Sequence, residues 1–100
     1  DLVNDVRRRA FGGSSDGEIS SSDLTLDFIL AERGRELYTE GIRRTDLIRF
    51  GKYTSGYQWN WKGGVRDGAD VDGKFEYLPI PEAELSANPD LKALNTQIGF

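Results

Sequence analysis

One hundred residues carrying 13 Lys and Arg against 17 Asp and Glu have a net charge of −4, in about one small domain's worth of chain. That balance disfavours nucleic-acid binding, which draws on a basic patch able to displace counterions. The longest uninterrupted apolar run, Phe28-Ile29-Leu30-Ala31, is far shorter than the roughly 20 residues of a membrane-spanning helix.

The absence of Cys and His removes disulfides, thiolate and imidazole chemistry and the commonest zinc ligands. Any catalysis would rest on carboxylates, Lys, Tyr or hydroxyls, and no resident metal or cofactor is expected. The first residue is Asp1, not Met, so the chain is expected to be processed or part of something longer. Twelve glycines and a mean hydropathy of −0.56 predict a modest core.

Residues 1–11 read as the end of a helix. Leu2, Val3, Val6 and Ala10 recur at helical spacing, Arg7, Arg8 and Arg9 suit a C-terminus, and Gly12-Gly13 stops it. Residues 13–22 are polar and Gly/Ser-rich, hence loop. Ser22 or Asp23 is expected to cap a helix over residues 24–41, with Leu26, Ile29, Leu30 and Leu37 on one face and Gly41 as C-cap. Thr45 is expected to cap a short helix from Asp46 to Phe50, which Gly51 ends. From Lys52 to Tyr77 the chain reads as irregular. Tyr57, Trp59 and Trp61 alternate at period two, which suits a short strand, and Phe75 with Tyr77 suits a second. Pro81 opens one helical turn, and the tail from Ala87 is polar and turn-rich. The predicted class is mainly α, with long irregular loops and at most a short β-hairpin.

Four groups of residues invite a chemical reading. Glu32, Glu36 and Glu40 recur every four residues, which stacks carboxylates on one helix face. A paired-carboxylate glycosidase needs acids roughly 5–9.5 Å apart, so Glu36 with Glu32 or Glu40 is one reading. Nearby cations offer the simpler account: Glu32, Arg33, Arg35, Glu36, Glu40, Arg43, Arg44, Asp46 and Arg49 form a structural ion-pair network, through pairs such as Glu32–Arg35 and Glu40 with Arg43 or Arg44. The segment Gly68 to Lys74 fits G-x-x-x-x-G-K, yet Phe75 follows where a hydroxyl is needed, Asp70 and Asp72 repel phosphate, and no helix is expected next. An EF-hand alignment on Gly73 lacks its first acid at Gly68 and its last at Pro79, and one on Gly17 lacks the first at Gly12. A solvated acidic turn is expected there, with an irregular calcium site on Asp67, Asp70 and Asp72 as the alternative. Finally, Tyr53, Tyr57, Trp59 and Trp61 form the one aromatic cluster. Its rings either pack inward or stack on sugar rings beside Gln58, Asn60 and Lys62, and composition leaves both readings open.

The stretch Ala31-Glu32-Arg33-Gly34-Arg35-Glu36-Leu37-Tyr38-Thr39-Glu40-Gly41-Ile42-Arg43-Arg44-Thr45-Asp46-Leu47-Ile48-Arg49-Phe50-Gly51-Lys52 resembles the most recognisable block of the SusD/RagB family, outer-membrane nutrient-binding lipoproteins of Bacteroidetes. Three more stretches are similar in order and spacing: Val3 to Ala10, Trp59-Asn60-Trp61-Lys62-Gly63-Gly64, and Leu78-Pro79-Ile80-Pro81-Glu82 with Asn88-Pro89-Asp90-Leu91. The end departs from the family's Gln-Asn-Pro-Gly-aromatic pattern, reading Asn95-Thr96-Gln97-Ile98-Gly99-Phe100. The resemblance implies that residues 1–100 are a single C-terminal domain whose N-terminal part is absent, belonging to a tetratricopeptide-like helical fold. It implies no catalytic activity, capture of glycans or other nutrients, and delivery to a SusC-type TonB-dependent transporter. It implies a surface-exposed place on the outer membrane, anchored by a lipid on a Cys outside this sequence. The Glu/Arg block transfers as scaffold, and Tyr57, Trp59 and Trp61 are the candidate ligand residues. The other readings are a carboxylate-dependent glycosidase and a purely structural module without ligand contact. If the piece folds alone, surfaces meant for the N-terminal part are exposed and self-association is expected.

Overall fold

The computed structural model describes residues 2–100. Among them the regular elements are helices: α1 (Leu2–Ala10), α2 (Leu26–Glu36), α3 (Arg43–Arg49), α4 (Glu82–Ala87) and α5 (Lys92–Gln97), with 3-10 turns at Lys62–Gly64, Gly73–Glu76 and Pro89–Leu91. No strand occurs among the described residues, so the expected hairpin is corrected to loop. The chain divides into two compact units, one ending at Gly41 and one formed by Ile42–Phe100.

In the first unit α1 ends as its glycines predict. The Gly13 amide donates to the Arg8 carbonyl and the Gly12 amide to Arg9, the paired bonds of a Schellman cap. Asp1, included in the expected helix, lies outside the described residues. The loop after α1 is held by Asn4, 8% exposed, whose side chain accepts from the Ile19 amide and donates to the Ile19 carbonyl, both at 3.0 Å. The predicted cap of α2 is corrected. Asp23 accepts from the Ser20 hydroxyl at 2.6 Å and the Ser20 amide at 3.2 Å, bonds that hold its carboxyl below its ordinary value. That side chain is committed to the preceding turn, and Thr25 caps instead, accepting from the Phe28 amide at 3.1 Å. The helix also stops earlier than expected. Thr39 takes a left-handed φ of 75° and the Glu40 amide bonds back to the Leu37 carbonyl, closing a turn where another helical turn was expected. Leu30 is this unit's buried hydrophobic residue, whereas Leu26, expected on the same face, is 72% exposed.

In the second unit α3 begins at Arg43, with Ile42 at the cap position and no side-chain cap. Thr45 therefore sits inside the helix, where a cap was expected. Its end matches the expectation: Gly51, at φ 65°, donates to Ile48 while Lys52 donates to Leu47, a second Schellman cap. Leu47 and Leu85 are the buried hydrophobic residues of this unit, and Asp46 is buried beside Leu47, accepting from Arg49 at 2.7 Å. The polar tail contains an unexpected helix, α5. Its Asn95 is 8% exposed and clamps Ile80, accepting from its amide at 2.8 Å and donating to its carbonyl at 3.1 Å. Gly99 and Phe100 then close α5 with the same paired bonds, to Thr96 and Asn95.

Candidate functional site

The Glu/Arg block divides between the two units. In the first, Glu32 accepts both Oε atoms' worth of hydrogen bonds from Arg7 Nη1, at 3.0 and 2.8 Å, and a further bond from Arg35. Arg7 also donates to the Gly17 carbonyl, and its guanidinium lies 5.6 Å from the Phe28 ring centre, with Arg35 at 5.7 Å from the same ring. Burial acts to raise the Glu32 carboxyl, but hydrogen bonds and charge from Arg35 and Arg7 outweigh it and hold the group below its usual range. A general acid needs the opposite shift. Glu36 pairs with Arg9 at 2.9 Å, where the Arg side chain is 75% exposed, so that pair contributes about 0–1 kcal/mol. Glu40 is exposed, and Arg33 lines an apolar groove of about 360 Å³ with Leu2, Val6, Phe28 and Leu37.

In the second unit the cations of the block meet the aromatic cluster. A cleft of about 370 Å³ is lined by Arg43, Arg44, Leu47, Tyr53, Tyr57 and Trp59. Helix α3 carries Arg43 and Arg44 into it, and the loop after Gly51 brings the rings. Arg43 donates to the Tyr57 hydroxyl at 3.3 Å with its guanidinium 5.8 Å from that ring centre. Arg44 lies 5.2 Å from the Tyr53 ring centre and donates through Nη2 to the Phe75 carbonyl at 2.7 Å and the Tyr77 carbonyl at 3.3 Å. Trp59 sits 6.2 Å from both Tyr53 and Tyr57, tilted 31° and 49° to them. Such tilted ring pairs are within the favourable range for aromatic contact.

Lys62 positions this wall, a role its sequence position does not advertise. Its side chain is 1% exposed, with Nζ donating to the Tyr57 carbonyl at 2.7 Å and to Asp70 at 3.3 Å, and lying 4.9 Å from the Trp59 ring centre. The inward residue of the Trp59 to Gly64 loop is thus a lysine. The aromatic alternation reflects a turn, because Trp61 has φ 71° and its amide bonds to the Arg66 carbonyl. Trp61 is 68% exposed and does not line the cleft, whereas Trp59 and Tyr57 are 36% and 38% exposed with faces on it. Gly68 supports the same loop: a Cβ there would stand 2.6 Å from the Trp59 carbonyl oxygen.

Two of the loop's aspartates, Asp70 and Asp72, are occupied by protein, and Asp67 is exposed. Asp70 accepts from Gln58 at 2.6 Å as well as from Lys62, and Asp72 caps the Gly73–Glu76 turn by accepting from the Lys74 amide at 2.9 Å. Among the described residues no three His, Cys, Asp or Glu side chains gather where a metal ion could be held. No helix among them is long and apolar enough to cross a membrane.

Residues 1–97 match the SusD family. The chain is also similar to the starch-binding protein SusD of Bacteroides thetaiotaomicron, 34% identical over 90 residues that cover 89% of this chain and 15% of that protein. The chain therefore spans about 15% of the length of this curated relative. With the family match running from the first residues of α1 through α5, this chain belongs to the SusD family.

Proposed function

We propose that the protein carrying this chain captures glycans at the cell surface for nutrient uptake and passes them to a SusC-type TonB-dependent transporter. In this reading it acts at the outer membrane, held there by a lipid on a Cys outside this sequence, and it binds without reacting. Family membership and the starch-binding relative support the reading. The observation that carries it for this chain is the cleft walled by Tyr53, Tyr57 and Trp59. Sugar rings have apolar C–H faces, and partly open aromatic rings offer the surface on which such faces stack. Trp59 and Tyr57 are the residues for that contact; Trp61, exposed outside the cleft, is the less suited of the three original candidates.

A purely structural module is the second reading, favoured by the packing of Trp59 between two tyrosines and Lys62. Calorimetry of the full-length protein against a polysaccharide panel separates the two. Binding that is lost in Trp59→Phe or Tyr57→Ala, at unchanged unfolding temperature, supports capture through this cleft. Loss of stability with unchanged affinity supports the structural role, and no binding to any glycan by the wild-type protein overturns the capture reading.

A further inference from the structure

The cleft is unusual in what it lacks for a neutral sugar. Hydroxyl groups both donate and accept, so a site for a neutral glycan needs acceptors as well as donors. Of the six lining residues, Leu47 offers neither, Trp59 only donates, and the two guanidinium groups only donate. Side-chain acceptors are limited to the two tyrosine hydroxyls, and the Tyr57 hydroxyl already accepts from Arg43. No carboxylate lines the cleft. Asp70 and Asp72 line a different one, with Tyr53, Val71 and Phe75.

We propose that this cleft takes an acidic oligosaccharide, with a sugar ring stacked on Trp59 and Tyr57 and the sugar's carboxylate held by Arg44. A carboxylate is an acceptor-only group, the complement of a wall whose charged groups only donate, and a planar guanidinium can engage its two oxygens together. Arg44 is arranged for this. Its Nη2 is anchored on the Phe75 and Tyr77 carbonyls and its guanidinium carbon lies 5.2 Å from the Tyr53 ring centre, which leaves Nε and Nη1 as donors on an already ordered side chain. Ordering a long side chain is one of the costs of binding, and here the fold has met it beforehand. The starch-binding relative handles a neutral glucan, so the proposal separates this protein's ligand class from the one in that relative's name.

The proposal rests on the capture reading, and the test is chosen so that the two can fail separately. The full-length protein is titrated with three probes: a hexamer of galacturonic acid, the same hexamer with its carboxylates methyl-esterified, and maltohexaose. Esterification removes the charge and keeps the sugar, so it needs no variant that might misfold. The acid is expected to bind at least about tenfold tighter than its ester, the scale of one charge-assisted hydrogen bond. That advantage is expected to shrink as salt rises from about 0.05 to 0.5 M, because opposite charges at a partly open site are screened. Arg44→Gln is expected to reduce binding of the acid by a larger factor than binding of the ester. Equal affinity for acid and ester, or binding of maltohexaose alone, overturns the acidic ligand and leaves glycan capture standing. Failure to bind any of the three overturns the acidic ligand as well, and failure across the wider panel overturns capture itself.

Discussion

Glu32 is bonded by two arginines from different stretches of chain, Arg7 and Arg35, and its side chain is only 13% exposed. Replacing its carboxylate by an amide removes the charge that both guanidinium groups answer to. We expect Glu32→Gln to destabilise the unit ending at Gly41 by about 1–3 kcal/mol, the range for hydrogen bonds to charged groups, as read by urea unfolding at neutral pH. The pH dependence has a definite sign. The Glu32 carboxyl is held below its ordinary value of 4.5 in the folded chain, so its contribution is present above that value and is lost as the pH falls through the lowered folded one. The wild-type protein should lose stability on acidification from about pH 5, and Glu32→Gln should show a shallower acid limb. Parallel acid limbs would mean that the arginines find other partners. The Glu32–Arg35 pairing can be read from three-residue spacing on a helix, since such neighbours share a face. Arg7 is 25 residues away in sequence, and no local pattern announces it.

Helices α1 and α5 each carry one buried asparagine that does for a loop what a neighbouring strand would do, bonding both the amide and the carbonyl of a single isoleucine. Asn4 reaches Ile19 and Asn95 reaches Ile80, each across 15 residues. Leaving a buried donor and acceptor unmet costs about 1–3 kcal/mol for each group. Asn95→Ala should therefore raise the hydrogen-exchange rate of the Ile80 amide by at least about tenfold in the full-length protein. Asn95→Asp keeps an acceptor for the amide and puts a negative charge against the Ile80 carbonyl, so it should not restore stability. An unchanged Ile80 exchange rate in Asn95→Ala would show that the clamp is dispensable. Element boundaries set by backbone-only rules were legible: Gly12 and Gly51 end α1 and α3 where glycine's freedom at positive φ predicts. Boundaries decided by competition were not. The sequence favours Ser22 or Asp23 as the cap of α2, and the bonds of both to Ser20 leave Thr25 to do it. Helix α5 was missed because Asn and Thr are weak helix formers, and its stability comes from tertiary contact through Asn95. The strand expectation at Tyr57, Trp59 and Trp61 failed for a similar reason. Period two marks a strand only where alternate residues share a face, and here Lys62 takes the inward position.

Across the whole molecule the buried hydrophobic residues among those described are Leu30, Leu47 and Leu85, so little apolar surface is withdrawn from water. Fully burying a leucine is worth about 1.5–3 kcal/mol, and ordering each residue's backbone costs about 1–2 kcal/mol. Ion pairs and asparagine clamps fix geometry, yet they add little net free energy where they face solvent. Leu2 at 84%, Leu26 at 72% and Leu78 at 76% exposure leave apolar side chains in water, and the first unit adds the groove of about 360 Å³ lined by Leu2, Val6 and Phe28. The curated relative is several times longer than this chain, so the family fold has far more chain with which to cover such surfaces. We expect the 100-residue chain expressed alone to self-associate through these faces, and the full-length protein not to do so. Light scattering on the isolated chain should show a mass that rises with concentration, and Leu2→Lys with Leu37→Lys, both in the groove lining, should lower it if the groove of the first unit is the contact. A monodisperse monomer over the same concentrations, with a cooperative unfolding transition, would show instead that the polar clamps and ion pairs suffice without a larger core.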